Sequence, residues 1–177
     1  MKRIAILFTI IGLTTLSSCD GDTGPRGPQG TAGPESEVFE LQNVDFQLNQ
    51  DNEYTIFEEL NPVIFNSDNI LIYRMSGTIN PQTPIWQLIP RTLFLTGAFE
   101  GEELDYDFDF SAVDFTIYAG GTYDLSETPQ FIQNQTFRIV IIPGFFSKMP
   151  GLDYNDYESV IKAFNIDDSK VVVLNKK

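Results

Sequence analysis

Apolar and polar side chains alternate with period two along most of residues 36–177, and only once does the pattern change to a helical period. In "EVFELQNVDFQL" (37–48) the apolar positions are Phe39 and Leu41, then shift by one to Val44, Phe46 and Leu48. A shift of one residue sends the following side chains to the other face, so the pattern predicts a strand with a bulge near Gln42-Asn43. "NQDN" (49–52) reads as a turn into "EYTIFEEL". "NILIYRMSG" and "RTLFLTGAF" read as two further strands. The segment between them, with Asn80-Pro81, Thr83-Pro84 and Trp86, reads as a Pro-flanked loop.

"EGEE" (100–103) turns the chain into "LDYDFDFS". There Leu104, Tyr106, Phe108 and Phe110 share one face, and Glu103, Asp105, Asp107 and Asp109 share the other. Ala119-Gly120-Gly121-Thr122 predicts another tight turn. "TFRIVII" is apolar on both faces except at Arg138, as a central strand requires. In "NDYESVIKAFN" the residues Tyr157, Val160, Ile161 and Phe164 fall at i, i+3, i+4 and i+7, which predicts one short helix. Asn155, with Glu158 three places on, suits a capping box at its start. "KVVVL" supplies a last strand. The fold class expected is all-β: a single β-sandwich (jelly-roll or Ig-like) over 36–177 with one short C-terminal helix.

The first 35 residues follow other rules. Residues 1–18 open with Lys2 and Arg3 and continue through a short apolar run to Leu16, the layout of a signal peptide. That run is shorter than the roughly 20 residues needed to span a bilayer. Leu16-Ser17-Ser18-Cys19 resembles a bacterial lipobox, which implies acylation of Cys19 and loss of residues 1–18. Two or more acyl chains anchor a protein stably. Asp20 and Asp22 follow the cysteine. In Bacteroidota such acids resemble a surface-export signal; in enterobacteria an Asp directly after the cysteine resembles an inner-membrane retention signal. The expected location is the outer membrane, on the cell surface, with the periplasmic face as the alternative.

From Gly21 to Glu35 glycine recurs at every third position. Only Gly fits at a triple-helix axis, and Pro presets the polyproline II backbone. Five triplets give few interchain hydrogen bonds to offset the ordering of three strands. As one strand at about 3.1 Å per residue the segment reaches roughly 45 Å, enough to hold a domain clear of lipid head groups. The expected role of 19–35 is therefore a tether on a monomer, with a trimeric stalk as the alternative. A lipobox cysteine, then acids, Gly-X-Y triplets and a β-rich domain resembles a group of small flavobacterial-type lipoproteins. Their C-terminal stretch is similar to "FRIVIIPGFF" with its following helix and strand. The resemblance carries over no functional residue beyond Cys19.

Composition narrows the chemistry. Acids outnumber bases by 25 to 11, a net charge of −14, which disfavours nucleic acid as a partner. The chain has no histidine and one cysteine. Ser-His and Cys-His nucleophilic pairs, an intrachain disulfide and zinc or haem sites built on these ligands are thereby excluded. No cofactor is expected. The row Asp105, Asp107, Asp109 is a weak metal candidate, because alternate residues on a strand stand about 7 Å apart and calcium wants six to eight close oxygens. An EF-hand is ruled out, with Phe110 where its glycine and Thr116 where its glutamate must stand.

Arg74 and Arg138 are each a lone cation in an apolar strand. Both are expected to pair with an acid across the sheet or to snorkel, with an anion clamp as the alternative. Trp86 could stack on a sugar or anchor a partner, and core packing is the simpler expectation. The functional expectation is a lipid-anchored, non-enzymatic binding or structural module with a protein or glycan partner. A carboxylate-dependent glycan hydrolase is the enzymatic alternative.

Overall fold

Every long strand turns one apolar face toward the apolar face of a second sheet, and that shared need builds the domain. The computed structural model describes residues 37–144 and 149–174, all within a unit that begins at Gly33. The strands are β1 (Glu37–Val44), β2 (Gln47–Leu48), β3 (Tyr54–Glu59), β4 (Asn69–Asn80), β5 (Thr83–Ile89), β6 (Arg91–Phe94), β7 (Glu103–Phe110), β8 (Asp114–Gly121), β9 (Gln135–Ile142) and β10 (Val172–Leu174). The single α-helix among the described residues is α1 (Tyr157–Ala163). The architecture is an all-β sandwich of two five-stranded sheets. Sheet A has the order β10-β1-β9-β4-β5 and sheet B the order β2-β3-β8-β7-β6. All pairings are antiparallel except β1 with β10.

Between the sheets lie Phe39, Leu41, Ile72, Phe137 and Ile139 from sheet A and Ile56, Leu104, Tyr106, Phe115 and Ile117 from sheet B. The alternate residues Tyr73, Val140 and Ile142 point the other way. They are covered by Tyr157, Val160, Ile161 and Phe164, the stripe foreseen on the helix. Sheet A is thus buried on both faces, and this is why β9, its central strand, is apolar almost throughout. Among the described residues, the outer face of sheet B has no such cover.

The bulge in β1 falls as expected. Pairing with β9 slips between Leu41 and Val44, and Asn43 adopts φ 53°, the left-handed region that Asn tolerates. Four local expectations are corrected. The segment with Trp86 is no loop: Asn80–Thr83 is the tip of a hairpin, with the Asn80 carboxamide accepting from Gln82 N and Thr83 Oγ1, and β5 follows at once. β6 ends at Phe94, and Gly97 at φ 73° opens a short 3₁₀ turn where a longer strand was expected.

The Gly120-Gly121 pair is strand, not turn. A Cβ on Gly121 would meet the Glu103 carbonyl at 2.8 Å, so glycine serves close backbone approach there. The β7–β8 reversal lies instead at Ser111–Asp114, held by Ser111 N to Asp114 O (2.9 Å) and Ser111 Oγ to Asp114 Oδ1 (2.6 Å). Finally, α1 is capped by Asp156, whose carboxylate accepts from Ser159 N, while Asn155 bonds back to Asp153.

Phe137 is fully buried, with its ring edge-on to Phe46 (5.9 Å) and Tyr106 (6.5 Å). Phe137→Ala is expected to cost about 3–5 kcal/mol in urea unfolding. A cost under about 1 kcal/mol would mean that the sheets do not close on this ring.

Candidate functional site

Three groups of side chains could carry function: a cation under the helix, a cation between the sheets and an acidic row on the open sheet.

Arg138 stands mid-strand on the face of β9 covered by α1, so its charge has to be satisfied within that layer. Its register partner on β1 is Glu40, and directly opposed residues share a face. The guanidinium donates from Nε (2.8 Å) and Nη2 (2.5 Å) to Glu40 Oε1. Nη1 donates to Asp168 Oδ2 (3.0 Å) and to the Tyr157 hydroxyl (2.5 Å). That hydroxyl donates in turn to Asp168 Oδ2 (2.8 Å). Gln42 Nε2 completes the second Glu40 oxygen at 2.6 Å. The guanidinium carbon lies 4.4 Å from the Trp86 ring centroid and 4.9 Å from that of Tyr157.

Burial pulls the Arg138 pKa down, but the bonds to Glu40 and Tyr157 outweigh it and hold the value above the ordinary arginine range. Burial likewise pushes the Tyr157 hydroxyl up, with Arg138 opposing and Asp168 adding to the rise. Every group here is matched, and the cation pairs with acids as expected. Trp86, expected on a loop, packs from β5 beneath α1 as the core residue of the simpler expectation. The arrangement holds helix, sheet and C-terminal segment together and leaves no free group for a ligand.

Arg74 is the opposite case. It points between the sheets and is 8% exposed. Its Nε donates to Gln135 Oε1 (2.9 Å), and its guanidinium carbon lies 4.6 Å from the Tyr106 ring centroid on sheet B. Among the described residues no carboxylate pairs with it, contrary to the expected ion pair. Burial lowers its pKa, and Tyr106 opposes that shift.

The outer face of sheet B presents Asp105, Asp107 and Asp109 on β7, all exposed. Tyr118 on β8 donates to Asp109 Oδ2 (3.0 Å). Around them stand Thr116 on β8, Thr55 and Phe57 on β3, and Phe94 on β6, with Phe57 52% and Phe94 75% exposed. A shallow depression of about 520 Å³ opens on this face, lined by Tyr54, Asp105, Asp107, Tyr118 and Asp124 among others. Among the described residues no group of three or more Cys, Asp or Glu side chains is placed to hold a metal ion. Cys19, Leu16, Ser17, Ser18, Asp20 and Asp22 lie outside the described residues, as do the Gly-X-Y triplets.

No protein-family description, curated protein or solved structure matches the chain.

Sequence reasoning missed Glu40, Asp168 and Tyr157 as partners of Arg138, and Gln135 and Tyr106 as partners of Arg74. Glu40 breaks the apolar run of β1 as Arg138 breaks that of β9, and this matched pair of interruptions was the one available signal. Recognising it required the strand order.

Two outcomes follow. Glu40→Ala leaves Arg138 buried beside Asp168 only, and is expected to cost about 3 kcal/mol in chemical unfolding. Glu40→Met with Arg138→Met should recover most of that loss, because it removes both charges together; no recovery would mean that Glu40 acts by packing alone. The second outcome concerns alkali. Burial, with Arg74 opposing, raises the Tyr106 hydroxyl from 10.0 to about 12. A group raised on folding contributes stability that is complete below its unfolded pKa. The urea midpoint is therefore expected to fall as pH rises from 10 to about 12, and Tyr106→Phe should flatten that fall.

Proposed function

We propose that the chain is a non-enzymatic lipoprotein, held in the outer membrane through acylated Cys19, displayed on the cell surface, and binding a protein partner through the open face of sheet B. The observation that carries this reading is the inequality of the two outer faces. The outer face of sheet A is roofed by α1 and the Tyr157 stripe, whereas among the described residues that of sheet B is bare. Bare does not mean inert. It joins a row of carboxylates to exposed aromatic rings at Phe57 and Phe94, a mixture suited to a partner with a basic rim and apolar anchors.

Charge complementarity selects a basic protein surface over an acidic one, since the whole chain carries −14. The tether reading of residues 19–35 agrees, because a module reaching for a partner gains from standing clear of the bilayer. The absence of histidine from the chain and the exposure of the three aspartates both favour binding over acid–base catalysis. By the same reading the chain resembles flavobacterial-type lipoproteins in layout.

A photo-cross-linking residue at Tyr118, compared with one at Glu158 on the helix side, tests this in native membranes. Tyr118→p-benzoylphenylalanine should cross-link to a basic protein, and Glu158→p-benzoylphenylalanine should not. Reversing Asp105, Asp107 and Asp109 to Lys should cut the cross-link about tenfold or more. Cross-links from the helix side only would assign binding to the other face. Protease treatment of intact cells should remove the domain, and full protection would place it inside the envelope.

A further inference from the structure

We infer that the flank of the sandwich between β5 and β6 holds a subsite for a single carboxylate group, with the Arg74 guanidinium as its ligand-binding fork. A guanidinium taken out of water is costly unless its donors are matched. Of the five N–H donors of Arg74, Nε–H is used on Gln135 Oε1, and the Tyr106 side chain takes one face and a side-chain hydrogen bond, leaving donors over. The terminal nitrogens meet no carboxylate among the described residues, and they are not among the sealed polar atoms, so they keep access to solvent.

The surroundings hold that fork in place. Gln135 is itself fixed, because its Nε2 donates to the carbonyls of Gln130 (3.0 Å) and Gln133 (2.6 Å) and so turns Oε1 toward Arg74. The Tyr106 hydroxyl donates to the Phe131 carbonyl at 2.7 Å, which fixes the ring under the cation. The guanidinium is therefore held by neutral groups on two sides, with no acid paired to it among the described residues.

The register adds further donors on the same flank. Gln87 stands opposite Arg74 in the β4–β5 pairing, half-buried. Arg91 stands opposite Tyr106 in the β6–β7 pairing and is exposed. Opposed residues share a face, so Arg74, Gln87 and Arg91 all belong to the side of their sheets that turns inward. Only three arginines lie among the described residues, and two of them flank Tyr106 with no ion pair. In a chain of net charge −14 the acids to neutralise them are abundant, yet among the described arginines the one that receives them is Arg138.

Ligand charge decides the class. A fork of parallel N–H donors matches the two oxygens of a carboxylate. The field of a strongly acidic protein penalises a dianion more than a monoanion, so carboxylate is favoured over phosphate. The site thus takes the acid group of a larger ligand, independently of the open face of sheet B.

Titrating the purified full-length chain with acetate at constant ionic strength, while following the Arg74 Nε–Hε resonance by NMR, tests the assignment. A saturable shift is expected in the wild type. Arg74→Gln should weaken acetate binding, read on the Gln87 side-chain amide, about ten- to a hundredfold. Arg74→Lys should weaken it too, since charge without the fork does not suffice. Arg91→Gln, an exposed change that leaves the core intact, should weaken it severalfold and gives a readout even if the Arg74 variants unfold. A wild-type Arg74 resonance that never saturates, or acetate affinity unchanged in both Arg74→Gln and Arg91→Gln, would overturn the site. Phosphate bound as tightly as acetate would overturn the carboxylate assignment.

Discussion

A cation in the middle of a two-sided sheet has nowhere to send its charge, and the arrangement around Arg138 follows from that. Glu40 must come from the neighbouring strand, and it does so only if β1 and β9 pair in the observed register. Asp168 must come from the segment after the helix, so α1 has to lie across sheet A with Tyr157 facing inward. Trp86 and Tyr157 then close over the guanidinium and exclude water. Replacing such a network with apolar side chains of similar size often leaves a protein as stable or more so. What the charges add is direction: a hydrophobic helix could slide on a hydrophobic sheet, whereas a hydroxyl shared between Arg138 and Asp168 has one place to sit.

Two arginines in similar sequence settings thus meet different ends. Arg138 is surrounded by acids and makes four donated hydrogen bonds within the fold. Arg74 is held by one glutamine and a phenol, which fix the cation but do not neutralise it. The contrast separates a side chain that builds the domain from one that remains available to a ligand. A similar contrast divides the two outer faces, of which one is consumed by packing and the other is presented.

Much of this architecture was legible in the order of residues, and the failures have identifiable physics. Period-two stretches such as "LDYDFDFS" and the doubly apolar "TFRIVII" declared their burial, because a strand's side chains have only two directions. The helix stripe was equally plain. Turns were harder. Gly120-Gly121 carries a hairpin composition but is needed for close packing against Glu103, and the true reversal at Ser111–Asp114 relies on a serine–aspartate bond. The proline-rich stretch around Trp86 became an edge strand, a position where proline's missing N–H costs nothing. Site residues were visible only as anomalies, because what Arg74 and Arg138 touch depends on strand order, a long-range property.

The place of β1 in sheet A carries a mechanical meaning. It is the first strand among the described residues, and it is clamped between central β9 and terminal β10. Under the proposed anchoring, force applied at the N-terminal end of β1 along its length would run roughly perpendicular to its interstrand hydrogen bonds. Bonds loaded in that shearing sense bear the force together, whereas a strand pulled sideways at one end unzips bond by bond. Glu40, gripped by Arg138, adds a charged cleat partway along the loaded strand. The fold thus sets a charged attachment on the strand that would take up the load under the proposed anchoring.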